Sequence, residues 1–402
     1  MTKTNVQPAV MSRDAAAEPE ELSTRQSGVA FAPHEPKVGV HFESARGEAP
    51  GQYFCGPPIL EQGARVGILC DTLHGDHEVN LDLQAAIAAA SELIERMGYV
   101  PVVDSSHVDP EPYFKRWAGT VGERSRHLVR LIDAYDVDAL FPLFGKGGCH
   151  GVVDSLAVND YRPRRPIVLI GGFSHHTDLG MFAVSDRGRG FFSHVINASQ
   201  CAYWKILPKA NADNLAAVLH GASRVEYGEL HGLNSSAQNA DVPRVGALAG
   251  GNLGAILHNA QKSWMPSLRD RIVVCEDYDR HPHDIYRCFS ALVRLSEDSG
   301  TSAIVIGAML PIRRPLAARH DPEQRRRDAE LQDEEVTNIL REVASRTWIP
   351  VFHNRLILGH GAMNYPLGLG GRTEIRPGPG DTSVLSNELS VWATARAHAV
   401  AS

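Results

Sequence analysis

Between residues 65 and 205 short apolar runs alternate with longer stretches whose apolar positions recur every three to four residues. "RVGILC" (65–70), "VPVVD" (100–104), "VDALFPLF" (137–144) and "RPIVLIGG" (165–172) read as strands. "NLDLQAAIAAASELIERMGY" (80–99), "GERSRHLVRLIDAYD" (122–136) and the shorter "GVVDSLAV" (151–158) carry the helical period. Continuous β-branched strands between amphipathic helices predict a parallel sheet covered on both faces. The pattern weakens over 206–240, where one helix, "NADNLAAVLHGAS", precedes a polar stretch, "HGLNSSAQNAD". A second α/β run then begins at "PRVGALAGGNLGAIL". It continues through "RIVVCED", the helix "DIYRCFSALVRLSED", "SAIVIGAML", a charged helix at 323–346 and "WIPVFHNRLILGHG". A Gly/Pro-rich stretch, 368–381, and a closing helix, "LSNELSVWATARAHAV", complete the pattern.

The expected organisation is an irregular N-terminal extension (1–60), an α/β domain (61–205), a linker (206–240) and a smaller α/β domain (241–402). The extension is rich in Ala, Glu, Pro, Ser and Gly without periodicity and has no apolar core of a secretory signal. No apolar run is long enough for a membrane span. A net charge of -7 argues against a nucleic-acid binder, and "RRRD" at 325–328 sits among acidic neighbours as a solvated helix face. Six scattered cysteines without a CxxC pair favour a reducing cytoplasm over a disulfide framework.

Three motifs stand at strand ends, where open α/β sheets place their sites. In "FGKGGCHGVVDSL" (144–156) a strand enters a glycine turn and a helix, the form of a nucleophile elbow. In "VVCEDYDRHPH" Glu276 and Asp277 follow an apolar strand, and in "LILGHGAMN" His360 sits between glycines. Together they are the parts of a nucleophile–base–orienter relay, although each alone reads equally well as solvated loop. The turn supplies no serine; its side chains are Cys149 and His150, and Gly151 follows. The histidine pairs His74/His77, His175/His176 and His281/His283 lack metal-ligand spacing, so no metal is expected, and no cofactor. "AGGNLG" lacks the full dinucleotide fingerprint and reads as backbone made to pass close to a site.

Over roughly residues 63–375 these motifs resemble the LD-carboxypeptidases, the muramoyl-tetrapeptide carboxypeptidases and their microcin-immunity relatives. The resembling blocks are "AGTVGERSRHL", "FGKGGCHGVVDSL", "PIVLIGGFSHHTDL", "GALAGGNLGAIL", "RIVVCEDYDRHPHDIYRCFSAL" and "LILGHGAMNYPLGLG". The resemblance implies a two-domain serine-hydrolase fold, with a mostly parallel sheet in the first domain and a homodimer as the assembly. It puts the triad glutamate at Glu276, the triad histidine at His360 and the nucleophile at Gly151. The family's aspartate after Phe-Ser falls on His175, beside Ser174. Without the serine, the turn amides around Gly148, Cys149, His150 and Gly151 suit a carboxylate clamp. Glu276 and His360 then suit proton transfer, with Ser174, His175 and Asn252 lining the pocket. The leading expectation is acid–base chemistry on a small amino-acid- or peptide-derived substrate: condensation, cyclisation of Pictet–Spengler type, or isomerisation. Hydrolysis through Cys149 or an activated water, and a non-catalytic peptide-binding or immunity protein, are the alternatives.

Overall fold

The computed structural model describes residues 41–44, 60–69, 83–104, 112–113, 117–143, 149–171, 174–195, 209–239, 242–311, 322–354 and 366–388. Strand β1 is His41–Ser44 and β2 Arg65–Leu69, followed by helix α1 (Leu83–Arg96) and β3 (Val100–Val102). A small hairpin, β4 (Pro112–Tyr113) and β5 (Trp117–Ala118), leads into α2 (Val121–Asp133). Thr120 and Glu123 start α2 with a reciprocal capping box. Then come β6 (Ala139–Pro142), α3 (Cys149–Val158), β7 (Ile167–Ile170), α4 (Ser174–Ala183) and β8 (Phe191–Val195). Strands β3, β2, β6, β7 and β8 lie side by side in parallel, as their apolar runs predict.

The second half runs α5 (Lys209–Leu219), β9 (Ala222–Gly232), α6 (Ser235–Gln238), β10 (Arg244–Asn252), α7 (Leu253–Asn259) and β11 (Arg271–Arg280). It continues with α8 (Pro282–Ser299), β12 (Ala303–Pro311), α9 (Pro322–Ala344), β13 (Val351–His353), β14 (Leu367–Leu369), β15 (Arg372–Pro377) and β16 (Thr382–Glu388). Strands β10 to β13 are parallel, while β16 pairs with both β15 and β9, so β9, β13, β12, β11, β10, β15 and β16 form a closed ring. Strand β14 leaves this half and adds antiparallel to β8.

Alternation along the ring sorts its side chains into two cores. Leu248, Ile272, Val274, Val305, Phe352, Tyr227 and Leu385 share the ring interior. Their neighbours Ala249, Val273, Cys275, Ile304 and Ile306 face outward and join one core with Val152, Leu169, Leu179 and Trp264 from the other elements. The two halves are thus packed on common apolar residues.

Three stretches differ from the sequence pattern. Residues 206–240 hold α5 and the eleven-residue β9, rather than only a linker. In β9 the buried Val225 and Tyr227 keep the two-residue period, but Leu230 breaks it. There Glu229 has φ 60°, and Tyr227 and Leu230 oppose Leu385 and Ser383 across a bulge. The first residues of the predicted closing helix, Leu385–Glu388, finish strand β16, because ring closure on β9 supplies long-range pairing that local periodicity does not show. His41–Ser44, inside the predicted irregular extension, pairs with β9. Among the described residues the ring sheet has eight strands, one of them β1 from the extension, and the other sheet six. None of the described helices is long and apolar enough to cross a membrane.

Candidate active site

Strand β10 ends at Asn252, opposite Glu276 of the parallel β11, which runs on to Arg280, so Glu276 and Asp277 lie within the strand rather than after it. Two glycines shape the end of β10. Gly250 and Gly251 have φ values of 133° and 141°, a region open to glycine and strained for other residues. A Cβ on Gly251 would stand 2.3 Å from Thr177 Oγ1. The missing side chain lets α4 come close enough for Thr177 Oγ1 to accept a hydrogen bond from the Asn252 amide at 2.7 Å. The chain then turns into α7, whose N-cap is Asn252: its Oδ1 accepts from the Ala255 amide. "AGGNLG" thus lets α4 pass close to β10.

The other end of the Asn252 side chain meets two acids. Its Nδ2 donates to Glu276 Oε1 and to Asp277 Oδ1, both at 3.1 Å. Glu276 and Asp277 are 4% and 3% exposed, so two neighbouring carboxyl groups leave water around one amide. Burial pushes the Asp277 carboxyl above the usual aspartate range, and the Glu276 charge adds to the shift. The Arg280 guanidinium opposes it through Nε–Oδ2 at 3.2 Å, as do the hydrogen bonds from the Tyr278 amide and Asn252. The folded state therefore holds its proton to higher pH than the unfolded chain. This group's contribution to stability is full below about pH 3.9, the unfolded value, and is lost as pH rises through the raised folded value. Arg280 also reaches back over the start of α7: a Cβ on Gly254 would lie 2.2 Å from its Nη2.

On the N-terminal side α3 begins at Cys149. Cys149 is 0% exposed and packs in the shared core beside Val152 and Val153. The buried thiol faces this core, the packing role that the turn motif also allowed. His150 is half-buried and meets His258 of α7 edge-on, with ring centroids 4.6 Å apart. Burial and the His258 imidazole lower the His150 pKa. Gly151 lies in the first turn of α3 without positive φ, and a Cβ there would stand 2.9 Å from Val121 Cγ2 at the start of α2. Ser174 and His175 fall in the first turn of α4. Gly148, His360 and the pair His74/His77 lie outside the described residues. Among the described residues no three His, Cys, Asp or Glu side chains gather as a metal-binding group.

Two participants escaped the sequence reading: Thr177, and Asp277 as a second buried acid. Asp277 stood in the quoted motif. Thr177 had no visible signal, because its role depends on the gap left by two glycines 73 and more residues later.

Residues 245–375 match the family model of the LD-carboxypeptidase C-terminal domain. Over this stretch the chain is similar to the LD-carboxypeptidases. Its fold is shared by an MccF-like protein from Bacillus anthracis, with a TM-score of 0.61 at 16% identity, covering 83% of this chain and 99% of that one. The muramoyltetrapeptide carboxypeptidase from Oxalobacter formigenes aligns with a TM-score of 0.55 at 20% identity, covering 82% and 100%. The microcin C7 self immunity protein MccF, solved in complex with aspartyl sulfamoyl adenosine, gives 0.59 at 17% identity, covering 85% and 100%. No curated protein matches by sequence. The LD-carboxypeptidase-like fold accounts for both the N-terminal parallel sheet and the second, C-terminal sheet.

The contact between Gly151 and Val121 yields a measurable expectation. Gly151→Ser gains helix propensity but forces its Cβ onto a β-branched neighbour, and overpacking of this kind costs about 1–3 kcal/mol. Net destabilisation of about 1 kcal/mol is expected in urea unfolding, and it should vanish in a Val121→Ala background. Equal cost in both backgrounds would show that Val121 does not occupy that space.

Proposed function

We propose that this chain is an enzyme of LD-carboxypeptidase fold that works without a serine nucleophile, by acid–base catalysis on a small amino-acid- or peptide-derived substrate. The reaction classes that fit are condensation, ring closure of Pictet–Spengler type and isomerisation, as in specialised metabolism. The observation that carries this reading is the Asn252-bridged pair, Glu276 and Asp277. Two buried carboxyl groups share one amide, and a proton held on this pair can be given to a substrate and taken back. With Gly151 at the family's nucleophile position, that position offers no side chain. Cys149 is buried in the core. His360, at the family's histidine position, is the second proton carrier, and Arg280 supplies a cation for a substrate carboxylate. The amino-acid part of the substrate is supported by the neighbouring MccF, which binds aspartyl and glutamyl sulfamoyl nucleosides. A cytoplasmic homodimer belongs to the same proposal.

The test combines two incubations of the full chain. Aspartyl sulfamoyl adenosine and L,D-dipeptides are followed by intact mass spectrometry. Amino acids and arylethylamines, with and without aldehydes, are followed in deuterated water. Deuterium entry or a condensation product, without a covalent acyl adduct, is the expected record. An acyl adduct or release of free amino acid would overturn the reading in favour of hydrolysis. Binding with neither exchange nor product would overturn it in favour of a peptide-holding protein.

A further inference from the structure

Helix α3 buries Cys149, Val152, Val153, Leu156 and Ala157. His150 and Asp154, one turn apart, therefore share a different side of the helix. That side meets the far end of α7. Asp154 Oδ2 accepts from Lys262 Nζ and Asp154 Oδ1 accepts from Trp264 Nε1, both at 2.7 Å, while His150 touches His258. Trp264 is 2% exposed and stands edge-on to Phe182 of α4, with centroids 6.3 Å apart. The opposite end of α7 is Asn252, which binds both carboxyl groups and is itself bound by Thr177 of α4. The seven-residue α7 is thus a strut of about 10 Å. Lys262 and Trp264 lie in the turn just beyond α7, joined to it by the Lys262 amide on the Asn259 carbonyl. The N-terminal helices thus hold α7 and the turn after it: α4 through Thr177 and through Asp178, which accepts from Asn259, and through Phe182 on Trp264; α3 through Asp154.

We propose that Asp154 is a positioning residue: acting through Lys262 and Trp264, it sets where α7 holds Asn252, and hence how deeply Glu276 and Asp277 are kept from water. It touches no reacting atom. The inference rests on the reading of Glu276 and Asp277 as the working carboxyl groups. A surface ion pair alone contributes little. Here the same carboxylate also holds the buried indole N–H, and the second bond is what makes the tie directional. Lys262 and Trp264 outweigh burial and keep the Asp154 carboxyl below its ordinary range, so the tie stays charged at neutral pH.

The experiment measures the site without a ligand or turnover. The side-chain carboxyl of Asp277 is titrated by NMR in aspartate-labelled full chain, and hydrogen exchange is followed over residues 253–259. The groups facing Asp277 are Glu276, Cys275, Arg280, Asn252 and the Tyr278 amide, with Cys288 of α8, none of them altered by the variants. In Asp154→Ala, exchange in α7 should rise about ten-fold. The Asp277 midpoint should fall by at least about half a unit towards the ordinary value as water enters. Asp154→Asn keeps an acceptor for Trp264 and should lie between. Should Asp154→Ala fail to fold, Lys262→Met and Trp264→Phe each remove one half of the tie. Faster exchange with an unmoved Asp277 midpoint would overturn the proposal and leave a plain structural tie. No change in either would overturn it as well. Turnover is not read, so failure of the proposed chemistry leaves a different record from failure of the clamp.

Discussion

Gly250→Ala is expected to be the most destabilising single-methyl change among the glycines of this site. A Cβ on Gly250 would lie 1.9 Å from the Val274 carbonyl oxygen and 2.8 Å from its carbon. Both belong to backbone, in a ladder where Gly250 and Val274 are direct partners, so no rotamer relieves the clash. The φ of 133° adds strain of about 1–3 kcal/mol for any side chain. Separating β10 from β11 would also break the row that holds Asn252 beside Glu276. The expected loss is about 3–5 kcal/mol, much of the stability of an ordinary domain. Urea unfolding measures it, with Gly228→Ala as control. No atom lies within 4 Å of a Cβ at Gly228, and its change should stay within about 0.5 kcal/mol. Equal stability of the two variants would refute the close approach of the strands.

Glu276→Gln should have the largest effect on turnover. Glutamine keeps the size of the side chain and an oxygen that accepts from Asn252, so the fold and the Asn252 bridge should persist. It cannot exchange a proton at neutral pH. Loss of a positioned acid–base group costs about 10²- to 10⁴-fold in rate. The measurement is kcat on a substrate that the wild type converts, with thermal unfolding run beside it. A kcat within two-fold of wild type would remove Glu276 from the chemistry. Preserved ligand binding alongside a collapsed kcat separates an acid–base role from a purely binding one.

Much of this arrangement could be read in the residues. The parallel strands show because they are buried on both faces and therefore continuously apolar: "RVGIL", "ALFP", "IVLI" and "IVVC" all became strand. The glycine pair before Asn252 was visible as a close-approach signal. Other features depend on partners distant in sequence. The length of β9 was obscured by the bulge at Glu229, and β16 by a helix-like spacing of apolar residues whose real partner is β9. Gly151 was visible as the glycine of the elbow-like turn motif. That Val121 crowds its Cβ direction was not, because Val121 is simply the first residue of a helix 30 positions earlier. Cys149 reads from sequence as a candidate thiol because it stands in the turn motif; only packing shows its direction into the core.

Ring closure also imposes an order on synthesis. Arg224 and Ser386, hydrogen-bonded across the β9–β16 seam, are 162 positions apart. On a ribosome β9 emerges long before its partner, and nearly the whole C-terminal half must follow before the seam can form. During that interval one edge of β9 has no strand to pair with, the condition under which nascent sheets recruit foreign edges. Charges stand along that strand at Arg224, Glu226 and Glu229, alternating with Val225 and Tyr227. In the finished protein Glu226 accepts from Arg376 of β15. Before the seam forms, charges on an unpaired edge disfavour its pairing with foreign strands.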